Sequence, residues 1–466
     1  MPERRVVIVG GGLVGSLAAC YFAKRGWTVD LYEKRPDIRL PEHSDLVEHR
    51  SINLAISERG FSALRRLDPE LEARVKEHVI PMHGRMIHAL DGKQTSQAYD
   101  VFNKHINSVG RSTLIKLLLD EASSYSCVTL HFNYEFVKAD FDTGRVELRD
   151  VERSEQTSVD ADLVVGADGA FSRVRQRLMS KVLMNYSQTY IEHGYCEFSM
   201  DPLDGSFAMD PNHLHIWPRG SFMLIALPNL DKSFTCTLFM PWSEFAKVES
   251  DAEVTAFFRK HFPDALALMG ERRVCAEYAA NPKGSLMYVK CAPSTYKSRA
   301  VILGDAAHAM DIEALDRIMV KTLHESGQAN DCTANLTDDQ LHKALDEYSV
   351  TRAVDTSAIV DLALENYVEM RAKVVDFAYL ARKHLEGLLH RLFPQRIIPL
   401  YTMVSFTSIP YAKVVSQWNR QTTWLHQTIR AVSVAAVIGI GAISVRVLGP
   451  RLPPLRELAR MVTSKI

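Results

Sequence analysis

The pattern of hydrophobic and polar residues predicts an α/β protein from the N-terminal end onward. Residues 6–9 are all apolar, a glycine-rich turn follows them, and residues 16–23 form a longer, largely apolar run. A short apolar run that ends at glycine is typical of a buried strand, whereas the longer run is typical of a helix. Residues 29–32 predict a second strand, so the chain begins with a strand–helix–strand unit whose strands are parallel.

Helical and strand patterns alternate along much of the remaining chain. The predicted elements are a helix over residues 63–78, a hairpin over 85–99, a helix over 112–122, strands over 127–148 and helices over 341–392. Asp91 and Gly92 supply the hairpin turn, and Ser112 is predicted to be the N-cap of its helix. These elements place the chain in the α/β class.

Short aromatic strands between residues 186 and 293 predict a separate antiparallel sheet. Its strands are expected at residues 213–217, 222–227 and 234–240. One apolar face of such a sheet is suited to cover a flat organic ligand. His213 and His215 lie two residues apart on one strand face, but no third ligand lies near them in the sequence, so we predict no metal site.

The glycine-rich turn after the first strand indicates a dinucleotide site. Gly10, Gly12 and Gly15 stand in G-x-G-x-x-G register. A phosphate can lie at such a turn only if the backbone approaches closely and a helix N-terminus faces it, which excludes larger side chains. Glu33 ends the second strand, where a carboxylate accepts hydrogen bonds from an adenosine ribose.

Two further strands run into small-residue turns that fit the same ligand. The strand near residue 164 leads to Asp168, and a buried strand near residue 302 leads to Asp305. Asp168 and the basic pair Arg173 and Arg175 fall where phosphate and ribose groups of a nucleotide could be met. Asp305 is placed to hydrogen-bond the ribitol of a flavin.

Length and composition restrict the function classes. A chain of 466 residues exceeds what one core usually holds, so two or three structural units are expected. The net charge of −1 gives the chain no overall positive electrostatic potential, which argues against nucleic acid as a partner. The seven cysteines are scattered and lack C-x-x-C spacing, so we interpret them as reduced cytosolic thiols. Because the first strand begins by residue 6, we expect no removable presequence.

The end of the chain has a different composition. Residues 431–445 are fifteen uncharged residues between Arg430 and Arg446, and further basic residues follow as far as Lys465. A membrane-spanning helix needs roughly 20 residues, so fifteen is too few. The apolar segment extends to Leu448 if the charged end of the Arg446 side chain reaches the membrane surface. A buried core helix is the alternative, but the terminal position and the cationic flanks favour a membrane-anchor tail.

Three motifs in this order resemble the single-component FAD-dependent aromatic hydroxylases. They are the glycine motif near residue 10, Gly-Ala-Asp-Gly near residue 166 and Gly-Asp-Ala-Ala-His near residue 304. Substrate-side stretches are most similar to the members that hydroxylate L-kynurenine, at residues 50–55, 81–88, 214–219, 235–241, 366–371 and 399–404. The resemblance covers about residues 6–418. It implies a Rossmann-like three-layer FAD-binding domain, an inserted antiparallel-sheet substrate domain, a C-terminal helical region and a tail anchor.

By this resemblance, Arg85 binds the substrate carboxylate, since a guanidinium makes two parallel hydrogen bonds to a carboxylate. Tyr99, Asn366 and Tyr401 are expected to hydrogen-bond around it. Phe239 is a candidate for the apolar wall, although it would serve equally as sheet core. The positions expected to contact FAD are Gly10, Gly12, Val14, Gly15, Glu33, Arg35, Ala55, Arg111, Asp168 and Asp305.

The resemblance also implies the reaction and its location. FAD is the expected cofactor, NADPH and O₂ are the expected co-substrates, and L-kynurenine would be hydroxylated to 3-hydroxykynurenine in tryptophan degradation and NAD synthesis. No catalytic side chain is expected, because the flavin does the chemistry while the protein orients the substrate and excludes water. The tail fits members on the mitochondrial outer membrane, with the catalytic part facing the cytosol.

These motifs divide the chain into segments. The FAD-binding segments are expected at residues 1–80, 102–180 and 296–350, and the substrate sheet at 81–101 and 181–295. A C-terminal helical region is expected at 351–428 and a membrane-anchor tail at 429–466.

The chain departs from the family pattern after Met310. The family continues there with a proline, aromatic residues and Gly-Gln-Gly-Met-Asn-Ala-Gly, whereas this chain continues directly with Asp311. Loss of that loop would remove backbone donors beside the flavin and open the site to water, which impairs flavin binding. Either an exon is missing from the sequence or the chain is a natural variant. The alternatives are therefore a membrane-tethered protein without catalytic activity, or a hydroxylase of another aromatic acid.

Overall fold

A computed structural model of the protein describes residues 4–43, 53–307, 312–325 and 336–448. The chain forms two compact units, Met1–Ala412 and Lys413–Ile466. The first unit contains all of the candidate site residues. The second contains most of one long helix, and the finer segment boundaries predicted from the sequence remain a prediction.

The strands are named β1 to β19 in chain order. They are β1 (Arg5–Val9), β2 (Thr28–Glu33), β3 (Asn53–Ile56), β4 (Ile80–Met82), β5 (Gly84–His88), β6 (Gln94–Ala98), β7 (Ile106–Gly110), β8 (Val128–Phe132), β9 (Tyr134–Asp140), β10 (Arg145–Asp150), β11 (Gln156–Asp160), β12 (Leu163–Gly166), β13 (Asn185–Met200), β14 (His213–Pro218), β15 (Met223–Pro228), β16 (Phe234–Pro241), β17 (Gly284–Ala292), β18 (Thr295–Tyr296) and β19 (Ala300–Ile302).

The α-helices are named in the same way. They are α1 (Leu13–Lys24), α2 (Glu58–Leu67), α3 (Pro69–Lys76), α4 (Arg111–Ser124), α5 (Arg173–Met179), α6 (Trp242–Phe245), α7 (Asp251–His261), α8 (Pro263–Met269), α9 (Glu271–Ala280), α10 (Ile312–Glu325), α11 (Asp338–Ala372), α12 (Phe377–Leu392), α13 (Leu400–Phe406) and α14 (Tyr411–Leu448). Short 3₁₀ turns cover Gly304–Ala306 and Lys373–Val375.

Sheet A has the strand order β18-β19-β12-β1-β2-β8. The strand–helix–strand unit predicted at the N-terminus is confirmed, because β1 pairs in parallel with β2 and α1 connects them. β1 also pairs in parallel with β12, which pairs in parallel with β19. Successive residues of β1 point to opposite faces of sheet A, and Val6 and Val7 belong to two different apolar clusters. Sheet A is therefore buried on both faces.

Sheet B has the strand order β17-β13-β16-β15-β14-β5-β6. The predicted antiparallel pairing of β14, β15 and β16 is confirmed, and β5 joins this sheet in parallel with β14. Its outer face carries Phe198, Trp217 and Leu238, which are buried in one cluster with residues of α7 to α9. Its inner face carries Leu214 and Ile216, which belong to one cluster with Met370 near the end of α11.

Three local expectations were wrong. The helix predicted over residues 63–78 is split into α2 and α3, because Asp68 caps α3 with its side chain and Pro69 occupies the first position. Ser112 lies inside α4, whose N-cap is Gly110. The helices α7 to α9 interrupt a region in which only short strands were predicted. Their apolar residues cover the outer face of sheet B.

The helices after residue 336 agree with the predicted helical region. A 3₁₀ turn separates α11 from α12, and α14 extends to Leu448. Within the four described ranges, no helix combines the length and the apolar character that crossing a membrane requires. Residues 449–466 of the predicted tail and residues 308–311 at the departure from the family lie outside the described residues.

Candidate active site

One cavity collects the turns that follow β1, β12 and β19. Neighbouring parallel strands end at the same edge of a sheet, so their following turns lie side by side. The amide of Ala167 donates to the carbonyl of Val9 at 2.8 Å, and the amide of Leu303 donates to the carbonyl of Gly166 at 2.8 Å. The resulting cavity has a volume of about 780 Å³ and is lined by all three turns. We call it the flavin cavity.

Most residues predicted to contact FAD line this cavity. They are Gly10, Gly12, Val14, Glu33, Arg35, Arg111, Asp168 and Asp305. Ala55 instead lines a neighbouring cavity of about 330 Å³, which shares Leu13 and Val14 with the first. Gly15 lines neither cavity and lies beneath the turn.

The three motif glycines meet different requirements. Gly10 has a φ of 105°, and a Cβ there would lie 2.4 Å from the carbonyl oxygen of Ala167. A Cβ on Gly15 would lie 1.8 Å from the carbonyl oxygen of Gly10. A Cβ on Gly12 would meet no atom within 4 Å. Gly10 and Gly15 therefore allow the turn to fold, whereas Gly12 keeps space in the cavity free for a ligand.

Glu33 is buried at the end of β2 and holds the turn together. Its carboxylate accepts from the amide of Gly11 at 2.7 Å and from Nε of Arg35 at 2.8 Å. Burial raises the pKa of Glu33, but the hydrogen bond and charge of Arg35 together with the Gly11 amide outweigh it, so the net pKa is lowered. Glu33 is therefore an ionised acceptor on the cavity wall.

Asp168 and Arg175 organise the second turn. The carboxylate of Asp168 accepts from the hydroxyl of Ser172 at 2.5 Å and from the amide of Arg173 at 2.8 Å. Arg175 is only 2% exposed, and its guanidinium donates to the carbonyl of Ala306 at 2.7 Å, in the third turn. Sequence reasoning placed Arg175 near nucleotide groups, but in the structure it connects the second and third turns.

Asp305 and Arg111 present charged groups in the cavity. Both line it, both are exposed, and neither side chain has a hydrogen bond or ion pair within the described part of the chain. A carboxylate suits a polyhydroxyl chain, and a guanidinium suits phosphate or an anionic ring. Together with the free space beside Gly12, these groups fit FAD.

A second site surrounds Arg85 on β5. Arg85 is only 3% exposed, and its guanidinium donates to Oε1 of Glu369 at 2.6 Å and to Oδ1 of Asn366 at 2.9 Å. The guanidinium also lies over the rings of Tyr99 and Tyr401, at 5.7 and 5.2 Å from their centroids. The structure therefore brings together the four residues predicted to hold the substrate carboxylate. We call this group the arginine site.

The tyrosines of the arginine site are stacked and neutral. The rings of Tyr99 and Tyr401 lie 4.8 Å apart at an interplanar angle of 10°. Burial raises the pKa of both phenols. Among the described residues, the hydroxyl of Tyr99 and Nε of Arg85 have no hydrogen-bond partner of good geometry. Buried donors without partners are costly, so these two groups indicate a place for a ligand acceptor.

Sequence reasoning missed two charged residues of the arginine site. Glu369 lies in the stretch noted for its resemblance, but no local signal showed that it would pair with Arg85. Lys383 on α12 donates to the side-chain oxygen of Gln97 at 3.3 Å. Burial and the charge of Arg85 lower the pKa of Lys383 to about 8. Both contacts join residues far apart in the chain, so only the folded structure brings them together.

Phe239 lies on the inner face of sheet B. Its ring packs edge-on against Tyr367 of α11 at 5.9 Å and lies 6.3 Å from Tyr195 of β13. Its neighbour across the ladder is Met223. Phe239 therefore packs between sheet B and α11, which fits both interpretations, and its role in an apolar wall beside a ligand stays a prediction.

The two histidines considered as a metal pair have other partners. His213 contacts the carboxylate of Asp210 at 2.8 Å, and Nδ1 of His215 lies 2.8 Å from Nε2 of His88. His88 in turn contacts Asp264 at 2.9 Å. In the described ranges there is no group of three or more potential metal ligands.

The comparisons with known proteins agree with this arrangement. A family model described as "FAD binding domain" matches residues 3–312. Solved structures of similar fold include a 2-methyl-3-hydroxypyridine-5-carboxylic acid oxygenase, 19% identical, with a TM-score of 0.61 over 82% of this chain and 96% of that one. A p-nitrophenol 4-monooxygenase from Pseudomonas putida is 18% identical, with a TM-score of 0.58 over 83% and 93% of the two chains. The chain is a flavoprotein with FAD as its cofactor.

Curated relatives identify the particular family. Kynurenine 3-monooxygenase of Drosophila willistoni is 44% identical over 91% of this chain and 92% of its own length. The enzyme of Anopheles gambiae is 42% identical over 95% and 90%, and that of Sus scrofa is 41% identical over 89% and 87%. The chain belongs to the kynurenine 3-monooxygenase family.

Proposed function

We propose that this protein hydroxylates L-kynurenine to 3-hydroxykynurenine, with FAD as cofactor and with NADPH and O₂ as co-substrates. The observation that carries the proposal is the arginine site. Arg85, Tyr99, Asn366 and Tyr401 come from separate parts of the chain and meet in one buried cluster. A cluster with a buried guanidinium suits an amino acid carboxylate.

The arginine site carries both charges that a zwitterionic amino acid requires. Arg85 provides the cation for the substrate carboxylate, and Glu369 provides an anion for its ammonium group. In the structure these two residues pair with each other at 2.6 Å, and Glu369 is 27% exposed on its side chain. An incoming carboxylate therefore takes the place of Glu369 on the guanidinium, while Asn366 stays as a second partner of Arg85.

The flavin cavity would hold the cofactor through residues of three turns. Glu33 would accept from the adenosine ribose, Asp305 from the ribitol, and Arg111 would offer a positive charge. When bound, FAD would supply the redox chemistry, because it would be reduced by NADPH and would then activate O₂. The chain supplies orientation through Arg85 and an apolar wall that includes Phe239, which keeps water from the reacting ring.

Purified full-length protein tests the proposal. We expect a yellow preparation that consumes NADPH faster when L-kynurenine is added, and we expect 3-hydroxykynurenine by chromatography and mass spectrometry. D-kynurenine is the matched control, because it places the carboxylate and the ammonium group differently against Arg85 and Glu369. A yellow protein that yields no hydroxylated product would contradict the proposal.

The departure after Met310 raises one alternative, a protein that binds the substrate but does not turn it over, which the comparisons do not favour. The residues absent there would supply donors beside the flavin ring. Colourless protein that binds L-kynurenine in calorimetry would support this alternative. The matched variant carries the family's Gly-Gln-Gly-Met-Asn-Ala-Gly segment and its preceding residues inserted after Met310. If the departure impairs flavin binding, this insertion restores the yellow colour, and sequencing the transcript across Met310 identifies its origin.

We also propose that the protein is held on the mitochondrial outer membrane by its C-terminal tail, with the catalytic part facing the cytosol. The support is the uncharged run at residues 431–445 and the basic residues on both sides of it. In cell fractionation, we expect the full chain in the mitochondrial pellet after carbonate washing, and we expect a chain ending at residue 428 in the supernatant. Identical distribution of the two chains would contradict the proposal.

A further inference from the structure

The inner face of sheet B carries a polar pair that the roles above do not use. Thr237 on β16 stands directly opposite Glu197 on β13 in the antiparallel ladder. Directly opposed residues have Cβ atoms about 4.5–5.5 Å apart, so the two side chains lie within reach of one small ligand group. Both point away from the outer face, where their neighbours Cys196, Cys236 and Leu238 are buried.

Neither polar group of this pair has a hydrogen-bond partner among the described residues. Thr237 is 1% exposed, and its hydroxyl has no hydrogen-bond partner among the described residues. The carboxylate of Glu197 makes no hydrogen bond or ion pair within the described ranges, and burial raises its pKa. A buried hydroxyl without a partner costs free energy, so its retention beside an unpaired carboxylate points to a ligand with hydrogen-bond donors.

The pair lies on the same inner face of sheet B as Arg85, several strands away from it. One row of paired residues crosses the inner face from Ile87 on β5 through Ile216 and Ile225 to Thr237 and Glu197. Arg85 is two residues from Ile87 and therefore shares its face. From β5 to β16 there are three strand spacings, roughly 14 Å, which leaves room for the Arg85 side chain and one extended small molecule.

The residue two positions before Glu197, Tyr195, is affected by a charge of the flavin cavity. Tyr195 is two residues before Glu197 on the same face of β13. Burial raises the pKa of Tyr195, the charge of Glu197 raises it further, and the charge of Arg111 lowers it. Arg111 lines the flavin cavity, so β13 at Tyr195 lies within electrostatic reach of that cavity.

We propose that Glu197 and Thr237 bind the aromatic amine of the substrate, at the end of the pocket opposite Arg85. The inference rests on the proposed function, in which the substrate is an amino acid with an ortho-amino aryl ketone. Its aromatic amine offers two N–H donors, which match the carboxylate of Glu197 and the hydroxyl oxygen of Thr237. Fixing the carboxylate at one end and the amine at the other presents the ring carbon beside the amine to the flavin cavity.

Calorimetry on purified full-length protein tests this pairing with two ligands. One is L-kynurenine, and the other is its analogue without the ring amine, 2-amino-4-oxo-4-phenylbutanoate. Both carry the amino acid group that Arg85 recognises. We expect the wild-type protein to bind L-kynurenine about tenfold more tightly than the analogue, because hydrogen bonds to a charged partner are lost with the amine.

Variants of the pair should change the preference for L-kynurenine over the analogue and leave binding of the amino acid group at Arg85 unchanged. In Glu197→Ala and Thr237→Val, we expect the tenfold preference to fall below about threefold while the affinity for the analogue stays the same. Thr237→Ser keeps the hydroxyl and should keep the preference. Glu192→Gln is the matched control, since Glu192 is an exposed carboxylate on the same strand. Circular dichroism establishes that each variant is folded.

The outcomes separate this inference from the proposed function. Equal affinity of the wild-type protein for both ligands overturns the inference alone, and so does an unchanged preference in the folded Thr237→Val variant. If the wild-type protein binds neither ligand, the proposed function is overturned together with the inference. A preference that is lost in Thr237→Val and kept in Thr237→Ser supports the pair as the amine site.

Discussion

The two parts of the candidate active site are built in different ways. The flavin cavity is made from turns at one edge of sheet A, and each turn follows directly from a strand in the sequence. The arginine site is made from side chains on β5, α11 and α13 and from the loop after β6, which lie far apart in the chain. The first depends on the path of the backbone and the second on long-range packing. Substitutions should therefore affect the two parts separately.

The largest expected effect is at the arginine site. Arg85→Ala removes the guanidinium that receives the substrate carboxylate, and each hydrogen bond to a charged group contributes about 1.5–3 kcal/mol. We expect the affinity for L-kynurenine to fall at least about a hundredfold. Because the flavin cavity is built from other residues, the affinity for FAD should stay the same. Calorimetry with each ligand measures both quantities.

Arg85→Ala also leaves Glu369 without its partner, so stability needs its own control. The double variant Arg85→Ala, Glu369→Gln removes both charges and should recover part of any loss in the free energy of unfolding. It should not recover affinity for L-kynurenine. A hundredfold loss of FAD affinity in Arg85→Ala would show that the two parts are not independent.

The second effect distinguishes two glycines of one turn. In Gly15→Ala the new Cβ would lie 1.8 Å from the carbonyl oxygen of Gly10, so the backbone must shift. We expect a loss of about 2–4 kcal/mol in the free energy of unfolding and a loss of FAD. Gly12→Ala meets no protein atom within 4 Å and keeps an ordinary backbone conformation. It should lower the affinity for FAD about tenfold or more, while the free energy of unfolding changes by less than about 0.5 kcal/mol.

Urea unfolding and FAD titration of the two glycine variants give a direct comparison. If Gly12→Ala destabilises the apoprotein as much as Gly15→Ala, the free space beside Gly12 has a structural role. If Gly12→Ala retains FAD with unchanged affinity, the phosphate does not approach the turn there. Either result would contradict the assignment of this turn.

The same contrast explains how much could be predicted from the sequence. Gly12, Asp168 and Asp305 lie in turns just after strands, and Glu33 ends β2. Neighbouring parallel strands end at one edge of a sheet, so the convergence of these residues followed from local patterns. Arg175 was noted beside the second turn, but its contact with Ala306 crosses to another segment. A local pattern gives no information on such a contact.

For the substrate side, the sequence predicted the residues only through resemblance. Arg85 on its own resembles any arginine of a strand, and its burial results from pairing with Glu369 and Asn366 on α11. The outer face of sheet B shows the same limit. The strand pattern predicted that one apolar face would cover a ligand, but it did not show which face. Helices α7 to α9 cover the outer face, and the inner face meets α11.

A smaller effect is expected at low pH from Glu33. The pKa of Glu33 in the folded protein lies below its ordinary value, so its stabilising contribution is present at neutral pH. It should be lost as the pH falls below about 4.3, the ordinary value for glutamate, towards the lowered value. Glu33→Gln removes the charge-assisted contacts with Gly11 and Arg35, at a cost of about 1–2 kcal/mol at pH 7.

Urea unfolding of the wild-type protein and of Glu33→Gln at several pH values tests this linkage. The difference between the two proteins should be constant from pH 6 to pH 8 and shrink below about pH 4.3. Glu135→Gln is a control from the same cavity wall, because Glu135 pairs with Arg173 near the surface. A difference that grows as the pH falls would contradict the lowered pKa.

The smallest effect concerns Lys383, which adds a second positive charge near Arg85. Its pKa is lowered to about 8 by burial and by the charge of Arg85, although the charge of Glu369 raises it. As the pH rises through about 8, Lys383 loses its charge and the site attracts a carboxylate less strongly. We expect the affinity of the wild-type protein for L-kynurenine to fall about threefold between pH 7 and pH 9 from this source.

The Lys383→Met variant tests this expectation. It should bind L-kynurenine more weakly at pH 7 and lose this part of the pH dependence, whereas the part due to the ligand's own ammonium group is common to both proteins. Equal pH profiles of the two proteins would show that Lys383 does not act on the arginine site, and would leave Arg85 as the determinant of carboxylate binding there.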